Sequence, residues 1–238
     1  ISGIINRHSL YSKRGGFDLD IIGYPEGFKP LISRGRNNDN PDYERLYTSR
    51  GEIHFKDFLS CADEGGSIIP TSRVPILNDY SNPRKRHEKL EKIVDALEND
   101  EIDILYVIGG DGSMKAAHSI WNYAKNMSKD LSVVAIPKTM DNDILWVWQS
   151  FGFLSAVEWA KGAIRQLYKE AVGNPRVGLI QLFGTDSGFV VSHAALASGV
   201  SDLALIPEIS FTMEEVVNHV KTVLTSRFQP GNNGKSPY

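Results

Sequence analysis

Cysteine is almost absent from this chain, which has a single cysteine, Cys61, among 238 residues. One thiol excludes any disulfide within the chain, which is typical of proteins from a reducing compartment. Long apolar runs are absent as well, and none approaches the ~20 residues that a membrane-spanning helix requires. From these absences we expect a cytoplasmic address and no membrane contact.

An excess of one charge sign is also missing. The 26 Lys and Arg residues face 29 Asp and Glu residues, which gives a formal net charge of -3. This balance provides no global attraction to nucleic acid. The 6 histidines show no spacing typical of a zinc site. We therefore expect neither a nucleic-acid partner nor a zinc centre.

Four short apolar runs predict the strands of a buried sheet. They are rich in Val, Ile and Leu without polar alternation, which is typical of parallel strands covered on both faces. The runs are residues 104–108, 133–136, 177–183 and 203–206, with 21–22 as a candidate for a fifth. Helical periodicity follows or precedes them at 90–97, 157–167 and 216–223. This alternation predicts an α/β fold with a doubly wound, mostly parallel sheet flanked by helices, and the polar stretch 33–50 predicts a surface insertion.

The first predicted site follows the strand at 104–108, since ligands in such sheets bind beyond the carboxyl ends of the strands. The chain there reads Gly109-Gly110-Asp111-Gly112-Ser113. Glycines let backbone N–H groups approach an anion, and a helix that begins at Ser113 directs its positive end at a phosphate. Asp111 is placed to hold Mg²⁺ on that phosphate. A capped tight turn is the alternative, but the acid and the hydroxyl among glycines favour phosphate binding.

The second predicted site follows the strand at 133–136, where two carboxylates, a lysine and a hydroxyl share one loop. Phosphoryl transfer needs positioning, a base for the attacking hydroxyl, and cations over the transferring oxygens. Asp141 is the candidate base, Asp143 a metal-associated carboxylate, and Lys138 a phosphate clamp. Thr139 is placed to orient the base or the phosphoryl group. A solvated turn is the alternative, which the position at the same sheet edge as the glycine loop disfavours.

These two loops together resemble the signatures of the phosphofructokinase family, Gly-Gly-Asp-Gly-Ser/Thr and Pro-Lys/Gly-Thr-Ile-Asp-Asn-Asp, with Met140 in place of the usual Ile. Further resembling segments follow the family order at 65–67 with 71–73, 150–157, 184–189, 194–198 and 206–208. The resemblance covers nearly the whole chain. It implies a phosphofructokinase-like, Rossmann-like fold and transfer of the ATP γ-phosphoryl group to the 1-hydroxyl of fructose 6-phosphate, which gives fructose 1,6-bisphosphate in glycolysis.

The resemblance also implies a role for each matching residue. The catalytic set would be Asp141, which takes the proton of the sugar hydroxyl, with Thr139 and Lys138. Mg²⁺ would be served by Asp111 and Asp143. The ATP site would comprise Gly110, Asp111, Gly112, Ser113 and Arg73. The sugar-phosphate site would comprise Thr139, Asp141, Arg176, Phe183, Gly184 and Thr185. Arg176 would reach sugar phosphate across a subunit interface, which implies a homotetramer or at least a dimer.

Two positions bear on the phosphoryl donor. Glycine at the position of Gly112 is associated with ATP in the family, whereas pyrophosphate users carry Asp there. Lysine at the position of Lys138 is typical of pyrophosphate users and of an ATP-using group from plants, trypanosomatids and some bacteria. The combination resembles that ATP-using group most, and pyrophosphate is the alternative donor.

Two departures from the family pattern remain. Thr185 stands where the family has an Arg near the sugar phosphate. Residues 1–238 would form an incomplete phosphofructokinase domain, without the N-terminal glycine loop and the C-terminal sugar-phosphate portion. These departures leave a non-catalytic regulatory relative as an alternative, which the retained Asp141 argues against. Lipid and nicotinamide-nucleotide kinases share the Gly-Gly-Asp-Gly motif but lack the second loop.

Overall fold

Some of the helices and strands predicted from the apolar runs are present in the structure, and others are not. The computed structural model describes residues 1–16, 18–34, 43–47, 65–73, 82–174 and 176–227. The helices are α1 (Ser2–Gly15), α2 (Lys29–Ser33), α3 (Pro83–Asn99), α4 (Asp111–Asn126), α5 (Phe153–Gly173), α6 (Phe189–Ser198) and α7 (Met213–Arg227). The strands are β1 (Ile21–Gly23), β2 (Glu44–Tyr47), β3 (Ile104–Gly109), β4 (Ser132–Thr139) and β5 (Phe151–Gly152).

The chain divides into two compact units. The first comprises Ile1–Leu105 and Lys115–Val134, and the second comprises Tyr106–Met114 and Ala135–Tyr238. The boundaries fall within β3, α4 and β4, so these elements contain residues of both units.

Helix α3 of the first unit illustrates how local sequence sets an element. Pro83 occupies the first helical position, where its missing N–H costs nothing, and the Asn82 side chain accepts a hydrogen bond from the Lys85 amide at 3.2 Å. The predicted apolar stripe from Leu90 to Leu97 is buried as expected. The predicted helix at 90–97 is therefore confirmed.

Residues 21–22 do form a strand, but not one of the parallel sheet. Ile21 and Ile22 pair with Tyr47 and Arg45 of β2 in an antiparallel sheet of 2 strands. The expectation of a fifth parallel strand was wrong, because two adjacent apolar residues carry no information on pairing direction. Within 33–50, Arg34 is buried and 44–47 form β2. The described part of that stretch is thus structured, and the insertion stays a prediction.

A buried ion pair joins the end of α2 to the end of α3. The Arg34 guanidinium donates through Nη1 to both carboxylate oxygens of Asp100 at 2.7 Å, and their side chains are 6% and 8% exposed. The Tyr24 hydroxyl donates to the same carboxylate at 2.7 Å. Burial, and next the hydrogen bond to Asp100, raise the pKa of Tyr24 well above its ordinary value.

The raised pKa of Tyr24 predicts a loss of stability in alkali. Above pH ~10 an unfolded tyrosine releases its proton while folded Tyr24 keeps it, so the unfolded chain is favoured increasingly as pH rises. We expect the free energy of unfolding to fall less steeply above pH ~10 in Tyr24→Phe than in the unchanged protein. Denaturant titrations at a series of pH values measure this. Tyr11→Phe, at an exposed tyrosine, is the control, and equal slopes in all three proteins would refute the prediction.

The sheet that carries the predicted site has the strand order β3-β4-β5. Strands β4 and β5 run parallel, with Lys138 opposite Phe151 and Thr139 opposite Gly152. The predicted strands at 104–108 and 133–136 are confirmed as β3 and β4, and the α/β fold with it. Helices flank these strands in the chain order, as the alternating pattern predicts.

The other two predicted strands, 177–183 and 203–206, are not strands in the structure. Their composition is that of a covered strand, yet Leu179 is 90% and Phe183 is 68% exposed. A strand exists only where a neighbour supplies ladder hydrogen bonds, and no described strand pairs with either segment. The expectation of strands here was therefore wrong for the described residues.

Helices α5, α6 and α7 belong to the second unit. Phe153 and Val157 of α5 pack with Val190 of α6 in a small apolar cluster. Helix α7 begins with a capping box, in which the Glu215 carboxylate accepts the Thr212 amide at 2.7 Å and Thr212 Oγ1 accepts the Glu215 amide at 3.2 Å. The hydrogen bond from the Thr212 amide, and next the one that the Thr212 hydroxyl donates to the same carboxylate at 2.9 Å, lower the pKa of Glu215. The helices predicted at 157–167 and 216–223 are confirmed.

Candidate active site

The glycine turn after β3 opens directly into α4. The Ser113 and Met114 amides donate to the Gly110 carbonyl at 2.9 and 3.0 Å, so the helix begins at Asp111, two residues before the predicted start. A Cβ on Gly109 would lie 2.2 Å from Ser113 Oγ and 2.6 Å from Ser113 Cβ, so a larger residue there would collide with Ser113. Asp111 is the acidic residue of the first turn, where the helix dipole favours negative charge.

The loop after β4 lies against this turn. A Cβ on Gly110 would lie 3.6 Å from the Cβ of Thr139 and 3.9 Å from its Oγ1. The carboxyl ends of β3 and β4 therefore meet at one sheet edge. The sequence-based expectation that the Gly-Gly-Asp-Gly-Ser turn and the Pro-Lys-Thr-Met-Asp-Asn-Asp loop converge is confirmed for these two residues.

Side-chain hydrogen bonds hold the backbone of the second loop. The Asp141 amide donates to Thr139 Oγ1 at 3.1 Å, and the Ser150 hydroxyl donates to the Thr139 carbonyl at 2.7 Å. The Asn142 side chain accepts the Ser150 amide at 2.8 Å and donates to the Trp148 carbonyl at 3.2 Å. Asn142 and Ser150 are 7% and 2% exposed, so these bonds lie away from water. Buried hydrogen bonds therefore order the backbone of this loop, which differs from the solvated turn of the alternative interpretation.

A third segment reaches the same loop from further along the chain. The Ser187 hydroxyl donates to the Asp141 carbonyl at 2.7 Å. The Oδ1 atom of Asp141 is shielded from water. Gly184, at φ 123°, lies so close to the Ser187 carbonyl that a Cβ would stand 2.1 Å from that oxygen. The turn that carries Phe183, Gly184 and Thr185 is therefore joined to the Asp141 loop within the second unit.

Sequence reasoning missed Asn142, Ser150 and Ser187. Asn142 stands inside the quoted motif, and both serines stand in segments that resemble the family, but no role was assigned to them. Their common signal is a short polar side chain that burial forces to find a hydrogen-bond partner. Their hydrogen-bond partners could not be predicted from local sequence, because those partners come close only in the folded chain.

The remaining predicted residues are distributed differently. Lys138 and Asp143 are exposed at the loop, and Gly112 and Thr185 are exposed as well. Arg176 pairs with Glu170 at 2.9 Å and donates to the Asn174 carbonyl at 3.2 Å. Arg73 belongs to the first unit and Asp111 to the second. The roles assigned to all of these residues stay predictions.

Clusters of metal ligands and membrane-spanning helices are both absent from the described part of the chain. No group of at least 3 His, Cys, Asp or Glu side chains there is arranged to hold a metal ion. Among the same residues, no helix has the length and apolar character needed to cross a membrane.

A glycine turn that opens a helix, beside a carboxylate loop at the carboxyl edge of an α/β sheet, is typical of proteins that bind phosphate groups. The profile of the family described as phosphofructokinase matches residues 8–232. The chain therefore belongs to the phosphofructokinase family.

Curated relatives agree with this assignment. The chain is 38% identical over 199 residues to the ATP-dependent 6-phosphofructokinase of Trypanosoma brucei brucei, which covers 83% of this chain and 36% of that protein. It is 39% identical over 212 residues to the chloroplastic ATP-dependent 6-phosphofructokinase 5 of Arabidopsis thaliana, which covers 87% of this chain and 35% of that protein. The chain thus spans little more than a third of the length of either relative.

Solved structures support the fold. A pyrophosphate-dependent phosphofructokinase from Nitrosospira multiformis matches with a TM-score of 0.72 at 14% identity, over 94% of this chain and 53% of that one. One from Marinobacter aquaeolei matches with a TM-score of 0.71 at 16% identity, over 93% of this chain and 52% of that one. At this identity the likeness concerns the fold alone.

Proposed function

We propose that the protein containing this chain is an ATP-dependent 6-phosphofructokinase, which acts on fructose 6-phosphate and is a homo-oligomer, a dimer or a tetramer, of the cytoplasm. The observation that carries this proposal is the approach of Gly110 to Thr139, because it joins the phosphate-binding turn to the loop of the candidate base. The names of the curated relatives favour the same reaction.

The proposed reaction needs one proton acceptor. As the 1-hydroxyl oxygen of fructose 6-phosphate attacks the γ-phosphorus, Asp141 takes the hydroxyl proton and the bond from γ-phosphorus to the bridging oxygen breaks, which releases ADP. The hydrogen bonds from Ser187 and to Thr139 use the backbone carbonyl and amide of Asp141, so they anchor the main chain that carries the proposed base. Thr139 and Lys138 are the proposed neighbours that orient and clamp the phosphoryl group.

Magnesium fits the residues of the site. Mg²⁺ keeps several waters and binds through one or two carboxylates together with substrate phosphates, so a site of that kind needs no cage of three protein ligands. The proposed carboxylates are Asp111, in the first turn of α4, and Asp143, which is exposed in the neighbouring loop. When bound, Mg²⁺ neutralises the charge of the β- and γ-phosphates. Gly110, Gly112 and Ser113 complete the proposed ATP site in the second unit. The donor role of Arg73 rests on the family resemblance alone.

Sugar-phosphate recognition is proposed for Arg176 and for the turn of Phe183, Gly184 and Thr185. The Arg176 side chain is 46% exposed where it pairs with Glu170, so it is accessible to an anion. Thr185 replaces the arginine of the family, and the charge-assisted contact of that arginine is worth roughly 1.5–3 kcal/mol. We therefore propose weaker binding of fructose 6-phosphate than an arginine at this position would provide.

The reaction is tested with the protein expressed from its complete gene. Coupled assays with fructose 6-phosphate and Mg²⁺ are run with ATP and, separately, with pyrophosphate. Turnover with ATP alone supports the proposal. Turnover with pyrophosphate alone identifies the second candidate, a pyrophosphate-dependent enzyme, which Lys138 favours. Turnover with neither donor refutes both and leaves the regulatory relative.

Substitution of Gly112 tests whether this residue belongs to the site of the phosphoryl donor. No atom lies within 4 Å of a Cβ built there, so Gly112→Asp is accommodated and its carboxylate faces open space at the turn. We expect Gly112→Asp to lower kcat/KM for ATP by at least roughly 10-fold, since juxtaposed like charges cost several kcal/mol. Gly162→Asp, which also has open space and lies on α5, is the matched control. Equal ATP kinetics in both variants would remove Gly112 from the donor site.

A further inference from the structure

Ser187 has no role in the chemistry above, yet it is one of the few buried polar residues beside the site. It is 5% exposed, and its hydroxyl donates to the carbonyl of Asp141, 46 residues earlier in the chain, at 2.7 Å. We propose that Ser187 is a positioning residue, which fixes the carboxylate of Asp141 by holding the peptide group that follows it. This inference rests on the proposed function, because it concerns the base of that reaction.

The bonded carbonyl is well placed for this role. Its peptide group joins Asp141 to Asn142, and Asn142 lies at φ 52°, in the left-handed region that costs energy for residues other than glycine. A hydrogen bond to the carbonyl resists rotation of this peptide toward a relaxed conformation. Such a rotation changes ψ of Asp141 and φ of Asn142, and the loop that carries the Asp141 side chain must then adjust. A misplacement of about 1 Å in a catalytic group can cost roughly 100-fold in rate.

Ser187 is itself held on both sides. On one side its carbonyl packs against Gly184, where even a methyl group would collide. On the other side the Gly188 amide donates to Glu208 Oε1 at 2.7 Å, which fixes the start of α6. The hydroxyl therefore starts from a defined position. The same short turn carries Phe183 and Thr185, so Ser187 links the proposed sugar-phosphate turn to the proposed base.

A buried serine that does not contact the Asp141 loop provides the control for Ser187, and helix α6 contains such a residue. Ser198 lies at the other end of this helix, is 2% exposed, and donates through its hydroxyl to the Ala195 carbonyl at 2.8 Å. Its hydroxyl also lies 3.2 Å from that of Ser201. Ser198→Ala thus removes a buried hydroxyl of the same kind in the same unit. It differs from Ser187→Ala in leaving the Asp141 loop untouched.

The test compares kinetics and amide exchange in the protein expressed from its complete gene. We expect Ser187→Ala to lower kcat by roughly 10- to 100-fold with the KM for ATP nearly unchanged, and to speed hydrogen exchange at the Asn142 amide. Ser198→Ala is expected to change neither quantity. Ser187→Cys, nearly isosteric with a weaker donor, is expected to fall between Ser187→Ala and the unchanged protein. Unchanged kcat in Ser187→Ala, or an equal loss in Ser198→Ala, overturns the inference.

A double variant separates this inference from the proposed function. If Ser187 acts through Asp141, Ser187→Ala lowers turnover little further in a protein that already carries Asp141→Asn. An equal fold-loss in both backgrounds means that Ser187 acts by another route, and the inference is wrong. Full turnover in Asp141→Asn alone refutes the role of the base instead. Loss in Asp141→Asn with none in Ser187→Ala refutes only the positioning role.

Discussion

Asp141→Asn is expected to lower kcat by roughly 10²–10⁴-fold, the usual contribution of a general base. The reason lies in how the residue is held. Its amide donates to Thr139 and its carbonyl accepts from Ser187, and both bonds use backbone atoms that asparagine also has. The substitution therefore removes the proposed proton acceptor and keeps both of these bonds. Coupled assays measure kcat, and calorimetric titration with ATP measures binding, which we expect to be nearly unchanged.

The control for this prediction is another aspartate. Asp130 is exposed and belongs to the first unit, so Asp130→Asn makes the same change of charge at a residue outside the unit of Asp141. It is expected to keep full turnover. If Asp141→Asn turns over as fast as the Asp130 variant, Asp141 is not the base. If Asp141→Asn loses ATP binding along with turnover, its effect is on the site as a whole and not on proton transfer.

Asp100→Ala is expected to destabilise the protein by roughly 3–5 kcal/mol, because removing one partner of a buried ion pair strands the other charge away from water. Asp100 accepts hydrogen bonds from Arg34 and from Tyr24, and all of these would be lost together. The loss is expected in the free energy of unfolding of the first unit. Denaturant titration followed by circular dichroism measures it.

Glu98 supplies the matched comparison for the ion pair. Glu98 lies one residue before the end of helix α3, whose C-cap is Asp100. It pairs with Lys129 at 2.5 Å, but the Glu98 side chain is 53% exposed and that of Lys129 is 36% exposed. An exposed pair of this kind contributes about 0–1 kcal/mol. Glu98→Ala is therefore expected to cost much less than Asp100→Ala. Equal costs would mean that burial of the Arg34–Asp100 pair has no energetic consequence.

Local patterns predicted much of the fold. The apolar stripe on α3, and the runs that became β3 and β4, are continuous in sequence and were found where expected. The run at 177–183 has the same composition but forms no strand among the described residues. The difference is physical, because a helix satisfies its hydrogen bonds within itself whereas a strand depends on a neighbour. Composition alone does not supply that neighbour.

Part of the candidate site could likewise be predicted from the sequence, and part could not. The meeting of Gly110 and Thr139 was predictable, because carboxyl ends of neighbouring parallel strands share an edge. The contact of Ser187 with Asp141 was not predictable, because it joins residues 46 positions apart through one hydroxyl. The ion pair of Arg34 and Asp100, which are 66 positions apart, was not predicted for the same reason. Long-range polar contacts depend on the assembled backbone, and no local periodicity marks them.

The main-chain anchoring of Asp141 has an evolutionary corollary. Since these two bonds use main-chain atoms, they do not depend on which side chain stands at 141. A single nucleotide change converts an aspartate codon to an asparagine codon. Under the proposed function, one such change would silence the chemistry while these main-chain bonds persist, which offers a short path from a catalyst to a sensor of the same metabolites.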